Sequence, residues 1–166
     1  MILTILLSLG MMALLFLAIW SATLTLPFKA LIKSFPKDVQ ETLSLRLDHL
    51  PMSGKRVFGI VILILFVSAM LGLVVWGGID GMRHDYNFGN FLLRFLIIFV
   101  GVKAFDIIVL DYFLLTKSRF FQHYFPETEG CAGWKDFGFN RKEQLKQCIA
   151  IPICCSALAG IFTIIG

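Results

Sequence analysis

Four long apolar stretches, separated by polar segments, dominate the pattern of hydrophobic and polar positions along this chain. Three of the four contain no charged residue, and the stretches lie at residues 1–26, 57–79, 91–116 and 148–165. An α-helix rises about 1.5 Å per residue, so roughly 20 apolar residues cross a hydrocarbon core of about 30 Å. The pattern therefore predicts an all-α integral membrane protein whose single domain is a bundle of four transmembrane helices.

The polar segments predict how these helices are connected. We expect a first cytoplasmic loop at residues 28–56, an outer turn at 80–90, a second cytoplasmic loop at 117–140 and a last transmembrane helix over about 141–166. Asn140 followed by Glu143 resembles a capping pair, which predicts that the last helix begins near Arg141. Its first turn would then be polar and lie outside the bilayer.

The first apolar stretch could be a cleaved signal peptide or a retained helix. It has no basic residue at its start, and no small-x-small cleavage motif precedes Pro27. Signal peptides carry both features and have shorter apolar cores. We therefore expect a retained transmembrane helix.

The distribution of Lys and Arg predicts the orientation. Residues 28–56 contain six of them, residues 80–90 contain one, and residues 117–147 contain six. Short cytoplasmic loops are enriched in basic residues, whereas translocated short loops are not. Both long loops are therefore predicted to lie in the cytoplasm, with the N- and C-termini outside.

Composition agrees with a membrane protein and argues against a nucleic-acid partner. Hydrophobic residues make up 58% of the chain, and the mean hydropathy of +0.83 exceeds that of ordinary soluble domains. The net charge is +4, but only 16% of residues are charged and the basic ones fall in two blocks between apolar stretches. The lipid bilayer is the expected partner.

The first loop has the spacing of an amphipathic helix. Pro36 interrupts the preceding apolar pattern, and apolar residues then recur at helical intervals at Val39, Leu43, Leu47 and Leu50. Asp38 near the start suits the helix dipole, and Pro51 closes the segment. We interpret it as an interfacial helix lying on the headgroups; a lateral gate or a partner-docking helix is the alternative.

The second loop is rich in aromatic residues, namely Phe120, Phe121, Tyr124, Phe125, Trp134, Phe137 and Phe139. Aromatic rings favour the headgroup level, so a membrane-interface belt is the first interpretation. A cytoplasmic lid or recognition surface is the second. The candidate functional residues of this loop are His123, Glu127, Glu129 and Trp134.

The third apolar stretch carries four charges: Arg94, Lys103, Asp106 and Asp111. A central Lys or Asp costs about 2.5 to 3.5 kcal/mol to insert, so such groups usually face the bundle interior and pair. In an α-helix Lys103 and Asp106 are one turn apart, which predicts a deep ion pair. Asp111 would lie about 80° round from Lys103, nearer the cytoplasm.

Arg94 lies near the outer end of the same stretch. We expect its side chain to extend outward to the membrane surface, where Asp80 or Asp85 could pair with it. Other helices offer few complementary groups, the candidates being Thr23, Thr25, Ser68, Ser156 and Thr163. Close helix packing is expected at the small-residue pairs Ser68 with Gly72 and Ser156 with Gly160.

These charges allow a structural and a functional interpretation. The Lys103 and Asp106 pair could simply fix the helix register. Alternatively the four charges could form a substrate or ion site, either a proton or ion pathway through Asp106 and Asp111 or a polar pocket for an anionic or zwitterionic ligand at Lys103.

Catalytic, metal and cofactor chemistry have no support in the sequence. The three histidines, His49, His84 and His123, fall in three different loops without helical metal-ligand spacing. The four cysteines form no C-x-x-C pair. We expect no catalytic residue, no metal and no cofactor, and an enzyme acting on lipid would need a constellation that is not found.

Two segments, FDIIVLDY at residues 105–112 and FPETEG at residues 125–130, resemble small uncharacterised four-helix membrane proteins of Gram-positive bacteria. The resemblance covers the C-terminal half and implies a bacterial plasma membrane and the same fold, but no activity. Transport or permeation of a small ion or polar solute, by a homo-oligomer, is the first functional hypothesis. The alternative is a binding or accessory subunit of a larger complex with a partner membrane subunit.

Overall fold

The computed structural model describes residues 1–25, 35–47 and 54–166, and every regular element in these ranges is helical. The elements are α1 (Ile2–Thr25), α2 (Lys37–Leu47), α3 (Gly54–Arg83), α4 (Phe88–Phe105), a π-helix (Asp106–Lys117), α5 (Phe120–Tyr124) and α6 (Arg141–Ile165). Two short 3₁₀ turns, Pro126–Thr128 and Ala132–Lys135, lie between α5 and α6. Leu50 and Pro51, which were expected to end the helix of the first loop, fall outside the described residues.

Three of the described helices are long and apolar enough to cross a membrane. The spanning segments are Ile2–Thr23 in α1, Val57–Arg83 in α3 and Arg141–Ile165 in α6. In the most apolar windows of α3 and α6 only 11% of residues are buried inside the protein. Such apolar faces need an apolar environment, which a bilayer supplies. A fourth crossing, by the predicted stretch 91–116, stays a prediction.

Helix α3 continues to Arg83, and α4 begins at Phe88, so only residues 84–87 connect them. The expected outer turn at 80–90 is therefore shorter, and Asp80 lies on a helix. Two residues after the end of α3, Asp85 adopts a φ of 52°. Asp tolerates this left-handed conformation better than most residues.

The described residues group into two compact units. The first unit comprises Met1–Leu15, Phe66–Phe105 and Lys142–Gly166, and the second comprises Phe16–Leu65 and Asp106–Arg141. The core of the first unit is formed by Leu7, Met11, Val74, Phe91, Phe95, Ile98, Cys155 and Ala159. Phe162 of α6 lies against the rings of Phe91 and Phe95, with centroid distances of 5.9 and 5.8 Å.

Close packing in the first unit occurs at glycines other than the predicted ones. A Cβ on Gly78 would lie 2.2 Å from the ring of Phe162, whereas a Cβ on Gly72 or Gly160 would meet nothing within 4 Å. Within the described part of this chain, neither Gly72 nor Gly160 makes the expected close contact, and packing of these pairs between copies stays a prediction. Gly77 and Gly81 also pack closely, against Leu7 and Phe91. They repeat the same four-residue spacing and are therefore the sequence signal for close packing on this helix.

An aromatic cluster forms the core of the second unit: Phe35, Phe121, Phe125 and Trp134, all at most 5% exposed. The rings of Phe121 and Trp134 stack with their planes 5° apart, and Phe35 meets both edge-on at centroid distances of 5.0 and 5.1 Å. The interpretation of Phe121, Phe125 and Trp134 as a headgroup belt is wrong, because these rings are buried in protein.

Helix α2 is joined to this cluster by polar contacts. One carboxylate oxygen of Asp38 accepts a hydrogen bond from the Val39 N–H at 2.9 Å, and the other accepts one from the Gly133 N–H at 2.7 Å. Val39 and Leu43 are fully buried. The apolar face of the predicted helix therefore packs within the second unit.

The π-helix follows α4 without a break. The Ser118 N–H donates to the Phe113 carbonyl oxygen at 2.8 Å, and the Thr116 hydroxyl donates to the Asp111 carbonyl oxygen at 2.8 Å, both across five residues. A π-helix has wider turns than an α-helix and is rare outside functional segments. The angle of about 80° between Lys103 and Asp111, which assumes α-helical turns, does not hold here.

Candidate functional site

A buried arginine on α4 lies at the centre of a polar site in the first unit. Arg94 is 3% exposed. Its Nη1 donates to the Gly77 carbonyl oxygen at 2.6 Å and lies 2.9 Å from Oδ2 of Asp80. Its Nη2 donates to the Tyr86 hydroxyl at 2.9 Å, and the Tyr86 ring centroid lies 4.4 Å from the guanidinium carbon. The cation is thus paired and hydrogen-bonded inside the protein.

The pairing of Arg94 with Asp80 confirms one of the two predicted partners. The guanidinium is enclosed by protein, and its extension to a membrane surface stays a prediction. Gly77 and Asp80 are three residues apart on α3 and so share one face of the helix. A backbone carbonyl and a carboxylate therefore reach the same guanidinium nitrogen. Asp80 itself remains 21% exposed and lies beside His84, whose Nδ1 is 3.6 Å from its Oδ1.

One donor of this guanidinium lacks an acceptor among the described residues. The Nε of Arg94 is buried and has no hydrogen-bond partner there. Leaving a buried donor unsatisfied costs about 1 to 3 kcal/mol, and more when the group is charged. A group that supplied an acceptor to Nε would therefore bind favourably.

A cleft of about 240 Å³ lies at this arginine. Its lining residues are Met1, Thr4, Tyr86, Asn90, Leu93, Arg94 and Ile97. Four of these residues, Thr4, Tyr86, Asn90 and Arg94, carry polar groups that can donate hydrogen bonds, and the other three are apolar. The cleft thus combines a cation and neutral donors with an apolar surface.

The polar residues that α1 contributes were missed in the sequence. Thr4 and Ser8 are 2% and 6% exposed, and Thr4 lines the cleft. A Cβ on Gly101 would lie 2.8 Å from the Ser8 hydroxyl oxygen, so α1 and α4 approach closely at that level. Their spacing of four residues puts both hydroxyls on one face of an otherwise apolar helix, which is the signal that could have identified them.

Lys103 is the second buried cation of α4, at 8% exposure. Its Nζ donates a hydrogen bond to Oε1 of Gln147 on α6. Gln147 was not a candidate because its sequence position suggested a polar turn outside the bilayer. The ion pair between Lys103 and Asp106 stays a prediction. Asp106 and Asp111 are both half-buried.

The candidates in the second loop do not converge on one site. His123, Glu127 and Glu129 are exposed. Oε1 of Glu129 lies 3.5 Å from Nη1 of Arg119. Both side chains are exposed, so this ion pair contributes little to stability. Trp134 is buried, and its indole N–H donates to the Thr128 carbonyl oxygen at 2.9 Å. Trp134 is therefore a core residue of the second unit.

No family model, curated protein or solved structure matches the chain. The site is therefore interpreted from its own chemistry.

Proposed function

We propose that this protein is integral to a bacterial plasma membrane and conducts a small ion or polar solute across it. The observation that carries the proposal is the burial of two cations on one helix, Arg94 and Lys103, each hydrogen-bonded to a group outside α4. They lie about 14 Å apart along the helix axis. Ionisable groups buried at such depth commonly mark solute or ion pathways.

The cleft at Arg94 favours conduction over a purely structural ion pair. A pair that only fixed helix register would be enclosed by apolar side chains. Arg94 instead lines a cleft together with the hydroxyl-bearing residues Thr4 and Tyr86, and one of its donors has no acceptor in the described residues. The cleft supports a site that a solute can reach beside the Arg94 side chain, although Nε itself is buried. The distribution of basic residues predicts that this cleft lies on the outer side.

The alternative is an accessory subunit that docks through the aromatic loop. Phe137 of this loop is 48% exposed, whereas Phe121 and Trp134 are 5% and 2% exposed and so cannot form such a contact surface. Truncating either ring would disrupt the second unit rather than remove a docking contact.

The proposal is tested by flux. The purified full chain is reconstituted into liposomes, and osmotic swelling is followed by stopped-flow light scattering in isosmotic glycerol, urea, potassium chloride and sodium hexanoate. We expect at least one solute to enter faster than into protein-free liposomes. Lys103→Gln should slow that flux by about tenfold, because it removes the positive charge. The glutamine amide can still donate a hydrogen bond to Gln147, so the contact with α6 is kept.

The matched control is Lys117→Gln, which removes an exposed lysine from the adjoining π-helix. Its flux should match that of the unmodified protein, and both variants should elute from size exclusion at the same volume. Equal flux for Lys103→Gln and Lys117→Gln would reject a role of Lys103 in conduction. Swelling no faster than in protein-free liposomes for every solute would reject the proposed function.

A further inference from the structure

We infer that the Arg94 cleft binds an oxyanion with a single negative charge that is attached to a hydrocarbon chain. This chemistry is shared by the carboxylate of a free organic acid and the phosphodiester of a membrane lipid. The inference rests on the proposed function in one respect, since it names the class of solute that the proposed pathway receives. The binding itself can be measured independently of flux.

The first argument is the hydrogen-bonding capacity of the cleft. The Nε and Nη2 groups form one edge of a guanidinium, the edge that binds two oxygens of a carboxylate or phosphate side by side. In Arg94, Nε is buried without an acceptor among the described residues. The Tyr86 hydroxyl accepts from Nη2, and such a hydroxyl retains its own proton for donation. A ligand oxygen in the cleft would receive a hydrogen bond from the Tyr86 hydroxyl. A shift of the Arg94 side chain would be needed to bring the buried Nε into contact with a second oxygen.

The second argument is the charge of the lining. Arg94 is the one cationic side chain among the lining residues of the cleft, and no carboxylate side chain lines it. Asp80 balances this cation from the Nη1 side at 2.9 Å. A bound monoanion therefore brings one uncompensated charge, which neutral donors such as Thr4 and Asn90 can offset. A dianion would bring two, so the site favours a single charge.

The third argument is the shape and polarity of the remaining wall. Leu93 and Ile97, one turn apart on α4, lie on either side of Arg94 in sequence, and the Met1 side chain completes the apolar lining. A volume of about 240 Å³ is below the range of about 300 to 1,000 Å³ for pockets that hold drug-sized molecules. A ligand with a small polar head and a short hydrocarbon chain would cover both parts of the lining.

The test measures equilibrium binding to the purified full chain. In the first arm, hexanoate and its neutral isostere hexanamide are titrated calorimetrically into protein in detergent. In the second arm, native mass spectrometry compares retention of phosphatidylglycerol with that of a diacylglycerol of the same chains. Recognition of the oxyanion predicts at least about tenfold tighter binding of the charged member of one pair, since one charge-assisted hydrogen bond contributes that much.

Variants separate ligand recognition from fold. Asp80→Asn keeps an acceptor for Arg94 but removes a negative charge near the ligand, so it should tighten binding of the charged probe by about tenfold. Tyr86→Phe removes one donor and should weaken it by about tenfold. Asp85→Asn removes the same charge from an exposed position and should leave binding within about twofold.

Selective hexanoate binding identifies a free acid as the source, and selective phosphatidylglycerol retention without it identifies a lipid. Equal binding within both pairs, or weaker binding after Asp80→Asn, would overturn the inference. Hexanoate binding without any flux in the swelling assay would keep this inference and reject conduction. Flux without selective binding of either charged probe would keep the proposed conduction and reject this inference.

Discussion

The Asp80 carboxylate lies 2.9 Å from Nη1 of Arg94 and joins α3 to α4 within the first unit. The two residues are unequally buried, since Arg94 is 3% exposed and Asp80 is 21% exposed. The arginine therefore depends on its partners more than the aspartate does. Removing the Asp80 carboxylate leaves the Arg94 cation buried in the protein without its counter-charge.

We predict that Asp80→Ala destabilises the protein by about 3 kcal/mol, the lower end of the range for removing one partner of a buried pair. The loss is limited because the Gly77 carbonyl and the Tyr86 hydroxyl still accept from Arg94. Thermal unfolding in detergent measures the effect. Asp85→Asn is the control and should change stability by less than about 0.5 kcal/mol, because Asn tolerates the φ of 52° at this exposed position.

The contact between Asp38 and Gly133 gives the second prediction. A Cβ on Gly133 would lie 2.2 Å from Oδ1 of Asp38 and 2.4 Å from Cβ of Pro36, so Gly133→Ala forces the two loops apart. We expect the free energy of unfolding to fall by about 1 to 3 kcal/mol, which is typical of overpacking. Limited proteolysis should then cleave residues 118–140 faster.

Gly130 provides the matched control for this substitution. A Cβ at Gly130 meets nothing within 4 Å, and no described glycine has a positive φ. Gly130→Ala should therefore leave proteolysis unchanged. If both variants are cleaved at the rate of the unmodified protein, the contact between the loops does not hold the second unit together.

The third prediction separates lipid contact from protein burial. The chain has three tryptophans, and in the structure Trp76 is 57% exposed while Trp134 is 2% exposed. A protein that retains only Trp76 should be quenched strongly by brominated lipids, since α3 presents that ring outward. A protein that retains only Trp134 should be quenched weakly by brominated lipids and by aqueous acrylamide. Weak lipid quenching of Trp76 would contradict membrane insertion of α3.

The fourth prediction concerns the packing of α3 against α6. Gly78→Ala would place a methyl group 2.2 Å from the ring of Phe162 and should cost about 1 to 3 kcal/mol. Gly72→Ala on the same helix meets nothing within 4 Å and should be neutral or stabilising by up to about 1 kcal/mol through helix propensity. Thermal unfolding of the two variants in detergent compares them. Equal midpoints would rule out close contact at Gly78.

The apolar helices were predictable because helix length and hydropathy are local properties of the sequence. The stretches at 1–26 and 57–79 correspond to α1 and α3, and the last helix begins at Arg141 as its capping pair suggested. The helix of the first loop was visible from its spacing as well. Its surroundings were not, because periodicity shows which face is apolar but not what covers that face.

The aromatic cluster illustrates this limit. Hydropathy measures transfer out of water, and a ring leaves water equally well in the headgroup region or in a protein core. Phe121 and Trp134 therefore fitted a membrane belt by composition alone. Their burial depends on Phe35, which lies more than eighty residues earlier, and no local pattern encodes such a pairing.

The candidate site was predicted in part. The cost of buried charge directed attention to Arg94 and Lys103, and the short connection after α3 made Asp80 a candidate partner. Gln147, Thr4 and Ser8 were missed because neutral polar residues are common in helices and do not stand out by charge. The wide turns after Phe105 were also missed, since no composition distinguishes a π-helix from an α-helix.

The hydrogen bond from Gly133 to Asp38 also has a consequence for how the chain is made. The two residues are 95 positions apart, so at 5 to 20 residues per second the ribosome delivers Gly133 roughly 5 to 20 s after Asp38. For most of that interval Phe35 has none of the aromatic partners that later bury it, because Phe121 and Phe125 are made shortly before Gly133. Assembly of this aromatic core must therefore wait until most of the chain has been synthesised, and Phe35 lacks its ring partners until then.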